Sequence, residues 1–219
     1  MNVRAGRRDE MIYLRDYIGG SAVRECYRHP LFEDKCVKVV KDKKDLPGLL
    51  REVRVSKLVA PYLGDYIVEY EDELVETDRG PGLVCGLVRN DCDGAVAPAL
   101  AHYQEGGVEL GGDIERGLRE ILRRLIAHNL FFYDFNEGNF VVKETRGGGK
   151  KVVFIDLKGF HKNGYMGFLK LERFIAPMAR NIMFRRMRRL YRELKIDEFP
   201  LNGLCGEKMF SSFWVDVRL

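Results

Sequence analysis

The sequence predicts an α+β chain, with an antiparallel sheet and one helix over residues 1–90 and a mainly helical part over residues 91–219 that carries one further hairpin. Three observations predict this. The first part is built from short β-branched and aromatic runs punctuated by glycines, such as Tyr17-Ile18-Gly19-Gly20 and Lys35-Cys36-Val37-Lys38-Val39-Val40. The second part has apolar residues at helical spacing, Ile114, Leu118, Ile121, Leu122, Leu125 and Ile126. Between them, Phe140-Val141-Val142 and Val152-Val153-Phe154-Ile155 flank Gly147-Gly148-Gly149, the pattern of a hairpin.

At 219 residues and 46% hydrophobic content, the chain can bury a good core as one large domain or two small lobes. The basic start, MNVRAGRRDE, is followed by no apolar signal-peptide region, and no window approaches a membrane span, so a soluble, cytoplasmic protein with no membrane partner is expected. Five cysteines without a CxxC pair support neither a disulfide framework nor a zinc site. Four scattered histidines offer no ligand cluster.

Taken in order, Met11–Leu14 and Tyr17-Ile18 read as a first strand, Gly19-Gly20-Ser21 as a turn, and Ala22–Tyr27 as a second strand. Glycines there could let backbone amides approach a phosphate, or simply make an ordinary hairpin turn. The third strand, Lys35–Val40, sets Cys36, Lys38 and Val40 on one face and Val37 and Val39 on the other. A lysine among apolar neighbours is costly without a partner. A helix follows over Leu49–Leu58, ended by Pro61, with Glu52 its sole acidic residue. Strands are expected near Tyr66–Val68 and Leu83–Val88, then a polar turn at Asn90–Gly94 that marks the boundary between the two parts. Asp113 is expected to cap the helix that leads to Asp134.

The hairpin gathers oxygen-bearing side chains at one end, with Asp134 and Asn139 entering it and Asp156 leaving it. A hard divalent cation takes such ligands, commonly one or two carboxylates completed by substrate phosphates. Asp134-Phe135-Asn136-Glu137-Gly138-Asn139 resembles the Asp-x-x-x-Gly-Asn loop of aminoglycoside and choline kinases. The longer run YDFNEGNFVVK…FIDLKG is similar to the PhoP regulatory network (YrbL-like) family within the protein kinase-like superfamily. The resemblance implies a two-lobed kinase-like fold holding ATP and Mg2+ between the lobes. It would place Gly19, Gly20 and Ser21 over the nucleotide, Lys38 on its phosphates, Glu52 beside Lys38, Asn139 and Asp156 on the metal, and Asp134 at an acceptor hydroxyl. The turn at Asn90–Gly94 would be the hinge at the adenine.

The chain departs from the kinase pattern in several places. Phe132 replaces the catalytic-loop histidine, Asn136 stands where a cation is common, and Asp156-Leu157-Lys158-Gly159 is one residue longer than Asp-Phe-Gly. Lys158 is the expected replacement for the missing cation. No Ala-Pro-Glu follows, which points away from a dedicated protein kinase. The implied function is ATP/Mg2+-dependent phosphotransfer to an unidentified hydroxyl acceptor, with a nucleotide-binding pseudokinase of regulatory role as the alternative. The arginines and lysine of the tail helix, residues 180–195, are either a solvated face or a site for an anionic partner such as nucleic acid. Gly147–Lys151 fails as a P-loop, lacking both the earlier glycine and a following Ser or Thr.

Overall fold

The computed structural model describes residues 11–105, 111–128, 130, 132, 135–157 and 172–194, without the side chains of residues 104–105 and 172–182. The first part is a five-stranded antiparallel sheet made of β1 (Tyr17–Gly20), β2 (Arg24–Arg28), β3 (Lys35–Val40), β4 (Tyr70–Thr77) and β5 (Gly80–Gly86), in the order β1-β2-β3-β5-β4. Helix α1 (Leu46–Leu63) crosses it. The second part contains α2 (Leu100–Glu105), α3 (Gly112–Ala127), the hairpin β6 (Phe140–Glu144) and β7 (Lys150–Phe154), and α4 (Glu172–Glu193).

The alternation in β3 divides the sheet into two unlike faces. Val37 and Val39 pack outward with Leu14, Tyr27 and Val84. Cys36 faces inward, packing with Cys85, Val68 and, across the boundary, Val141 and Val153 of the hairpin. Lys38 lies on this inner face, opposite Leu83 in register. Leu49 and Val53 of α1 cover Leu83 beside it.

In the second part, residues 114, 118, 121, 122 and 125 recur along one side of α3 and all are buried. They share a core with Met183, Met187 and Leu190 of α4 and with the rings of Phe132, Phe135, Phe140 and Phe154. Phe154 lies at the centre of these rings, its centroid 4.9 Å from Phe140 and 5.3 Å from both Phe132 and Phe135. Burial on this scale stabilises by about 1.5–3 kcal/mol per large apolar side chain, and it fixes the hairpin from below.

Several sequence expectations are corrected. Residues 11–14 are not part of the first strand: Ile12 donates to the Glu76 carbonyl (2.9 Å) and accepts from Asp78 (3.0 Å), because the Asp78 carboxylate also takes the Leu14 amide (2.9 Å) and draws the segment across the outer face. The second strand begins at Arg24, since Ser21 N–H donates to the Arg24 carbonyl (2.8 Å) and leaves Ala22-Val23 as the turn. Helix α1 starts earlier and runs past Pro61. Pro47 fits its first turn, where no N–H partner is needed. The helix stops at Gly64, whose φ of 55° favours glycine and whose N–H bonds Ala60.

The strand expected at Tyr66–Val68 is displaced to β4. Residues 64–66 form a 3-10 turn, and Ile67 makes an isolated bridge to Phe154. Acidic β4 is an edge strand whose charges reach water. Likewise β5 spans Gly80–Gly86 instead of Leu83–Val88. Asp113 does not cap α3; Gly111 does, and the Asp113 carboxylate instead accepts the Lys150 amide (3.2 Å), fastening the helix to the hairpin. Among the described residues no helix is long and apolar enough to cross a membrane.

Candidate active site

The inner face of the sheet brings Lys38 under α1, where its ammonium donates to Glu52 Oε1 (2.5 Å). The same nitrogen donates to the Ile155 carbonyl (2.7 Å), the residue that immediately precedes Asp156. Tyr70 Oη donates to that carbonyl as well (2.7 Å), and its ring centroid lies 5.2 Å from the Lys38 nitrogen. One backbone oxygen thus ties β3, β4 and the end of the hairpin together.

Glu52 is fully enclosed and receives a second cation. The Arg24 guanidinium, from the start of β2, donates to Glu52 Oε2 and reaches Asp156 Oδ1 at 3.3 Å. The result is a continuous chain of alternating charge, Lys38–Glu52–Arg24–Asp156, with side-chain exposures of 13, 0, 13 and 19%. Burial alone would raise the Glu52 carboxyl, but the two cations outweigh it and hold it below its ordinary value. Burial likewise opposes the charged forms of Lys38 and Arg24, yet Glu52 and Asp156 hold both above their ordinary values. For Tyr70, burial dominates and pushes the phenol well up, so it is a neutral donor. Two carboxylates thus face two cations.

Asn139 closes a short 3-10 turn, and its side chain is buried. Its carbonyl accepts from Ile155 N–H (3.0 Å), so Asn139 and Asp156 stand next to each other at the open end of the hairpin. Among the described residues no three His, Cys, Asp or Glu side chains converge on a metal position. One carboxylate and one amide oxygen nevertheless suit a hard cation completed by phosphate oxygens, so the donor set fits Mg2+.

Gly19 and Gly20 end β1 and Ser21 opens the two-residue turn that follows. Gly20 is obligatory there, because a Cβ would stand 2.6 Å from the Arg24 carbonyl. Asp134 and Lys158 lie outside the described residues, as do Phe131 and Tyr133. The turn at Asn90–Gly94 is the tip of a small hairpin in which Arg89 pairs with Val96, and Asp91 N–H donates to the Glu144 carbonyl (2.8 Å), binding it to β6.

Sequence reasoning missed two members of the site. Tyr70 lies just beyond the strand expected at Tyr66–Val68, as the first residue of β4. Arg24 was overlooked inside an assumed strand run, although its parity with Cys26, which faces Lys38 in register, places it on the inner face. Reading which β2 residues share a face with Lys38 would have found it.

A helix-crossed antiparallel sheet, a strand lysine paired to a helix glutamate, and a hairpin ending in Asn and Asp define a protein kinase-like fold. The described structure is similar to the crystal structure of a kinase domain, with a TM-score of 0.50 at 14% identity, over 73% of this chain. The match spans only 56% of that kinase domain's length. The chain belongs to the family described as PhoP regulatory network protein YrbL, whose model matches residues 13–195. No curated protein matches the chain.

Proposed function

We propose that the protein is an ATP- and Mg2+-dependent phosphotransferase acting on a hydroxyl acceptor. The observation that carries this reading is the placement of the Lys38–Glu52 pair directly on the Ile155 carbonyl, one residue from Asp156. In kinases a strand lysine so paired holds nucleotide phosphates, and the aspartate after the hairpin holds the metal. Residues 1–90 and 91–219 would then be the two lobes, hinged at Asn90–Gly94. Asn139 and Asp156 would hold Mg2+, which when bound neutralises phosphate charge. Gly19, Gly20 and Ser21 would close over the nucleotide.

Asp134 would orient the acceptor hydroxyl and take its proton, and Lys158 would face the transferred group. Preorganised charge of this kind is typically worth about 3 kcal/mol, or roughly a hundredfold in rate. Asp134→Asn and Lys158→Ala are therefore expected to lower ATP turnover by about that factor with little change in nucleotide affinity. The protein would act in the cytoplasm, where the Cys36 and Cys85 thiols, 3.4 Å apart, stay reduced.

A second reading, a nucleotide-binding pseudokinase of regulatory role, is favoured by one observation: the Arg24 guanidinium rests on Asp156, where it would hinder the metal that phosphotransfer needs. Turnover separates the two. Both require nucleotide binding, so thermal melting with ATP and Mg2+ tests them together. A ligand at a hundred times its dissociation constant stabilises by roughly 2.7 kcal/mol, and Asp156→Ala should remove the Mg2+-dependent part. No shift at millimolar nucleotide would sink the shared premise.

A further inference from the structure

Arg24 is not part of the lysine–glutamate–aspartate set of the kinase pattern, and its position is built rather than incidental. It follows the tight turn after Gly20, and its carbonyl accepts the Ser21 amide that closes that turn. Its side chain passes Gly48 in the first turn of α1, where a Cβ would come within 3.4 Å of Nη2. Nη1 then lies between two carboxylates from different parts of the fold, Glu52 of α1 and Asp156 beyond β7.

Mg2+ binds carboxylate oxygens at about 2.0–2.1 Å and demands near-ideal octahedral geometry. A guanidinium nitrogen 3.3 Å from Asp156 Oδ1 occupies part of that coordination space and repels a divalent ion there. A polyphosphate offers the guanidinium a better, bidentate anionic partner. We propose that Arg24 is a resident cation that competes with the metal for Asp156, so that nucleotide phosphates must draw it away before the metal binds well. Nucleotide and metal binding are then coupled through Arg24, and by linkage each strengthens the other by the same factor.

This inference rests on the reading of Asp156 as a metal ligand, and its test separates the two. Mn2+ binding is followed by electron paramagnetic resonance on the full chain, with and without a non-hydrolysable ATP analogue. In the wild type, Mn2+ should bind weakly alone and at least tenfold more tightly with the analogue. Arg24→Ala should bind Mn2+ alone at least about tenfold more tightly than the wild type, because a unit positive charge within a few ångström of the ion is removed. The gain from the analogue should shrink correspondingly. Arg24→Gln, which keeps part of the stem and a donor to Glu52, should behave similarly and serves if the alanine variant does not fold. Arg24→Lys, a single ammonium that cannot span both carboxylates, should fall between. If Asp156→Ala abolishes Mn2+ binding while both neutral Arg24 variants match the wild type, Arg24 does not compete and the inference falls alone. If Asp156→Ala leaves Mn2+ binding intact, or if no variant binds Mn2+ with or without the analogue, both it and the metal reading fall.

Discussion

Two regions of the molecule use the same ion pairs to different ends. Along α3, Glu115 pairs with Arg119 (2.5 Å) and Glu120 with Arg123 and Arg124 (both 2.7 Å), at ordinary i,i+3 and i,i+4 helix spacings. On the inner face of the sheet, Glu52 pairs with Lys38 and Arg24 over comparable distances. The α3 side chains are 24–52% exposed, whereas those of Lys38, Glu52 and Arg24 are at most 13% exposed. Water screens the first set, so each pair contributes little; the second has no water to fall back on. Distance therefore says less about an ion pair than enclosure does. Local sequence proximity makes the α3 pairs, but the chain Lys38–Glu52–Arg24–Asp156 needs four segments to be assembled first.

The largest difference should appear on breaking each set. Glu52→Ala leaves two cations enclosed without their carboxylate and is expected to cost about 3–5 kcal/mol by chemical denaturation. A cost near 1 kcal/mol would show that the enclosed pairs are as well screened as those of α3, and the comparison would fail. Next in size, a double-mutant cycle of Arg24 and Glu52 should give a coupling energy of about 1–3 kcal/mol. The Glu115–Arg119 cycle should give only about 0.3–0.5 kcal/mol. Equal couplings would remove enclosure as the cause.

Acid pH sharpens the contrast. The Glu52 carboxyl is depressed below the ordinary 4.5, so its contribution is complete above that value and is lost as pH falls through the lower folded-state value. Glu120 is also depressed, to about 2, by its bonds to Arg123 and Arg124, with burial opposing. Being surface-screened, it should matter less and should weaken with salt. Glu52→Gln is thus expected to flatten the loss of stability below pH 4.5, and Glu120→Gln to change it only slightly. Denaturation midpoints at several acid pH values, in low and high salt, would check this.

The smallest stability effect is expected on α4, where Arg185, Arg186, Arg188 and Arg189 are exposed while Met183, Met187 and Leu190 enter the core. Neutralising the four should change stability by no more than about 0.5 kcal/mol. If the face meets an anionic partner, the same variant should flatten the salt dependence of binding to a generic nucleic acid. Absence of wild-type binding at low salt would leave it a solvated face.

Much of this was legible in the sequence because it is local. The strand at Lys35–Val40, the hairpin through Gly147–Gly149 and the apolar stripe of α3 each follow from a period of two or 3.6 within one segment. Lys38 could be singled out because a charge on an apolar face requires a partner, and Glu52 because its helix offered no other acid. Tertiary structure decided what no single segment encodes. Acidic β4 is a strand only because β5 pairs it at the sheet edge, and Asp113 is a clasp on the hairpin, not a cap, because the Lys150 amide is brought to it. Arg24 bridges Glu52 and Asp156 across 28 and 132 residues of chain, with Gly48 leaving the space for it. The sequence by itself determined that Lys38 would sit on an apolar face and need a partner; the packing of the sheet, α1 and the hairpin decided which charges are enclosed with it, because a buried charge takes whatever opposite charge the fold brings within reach.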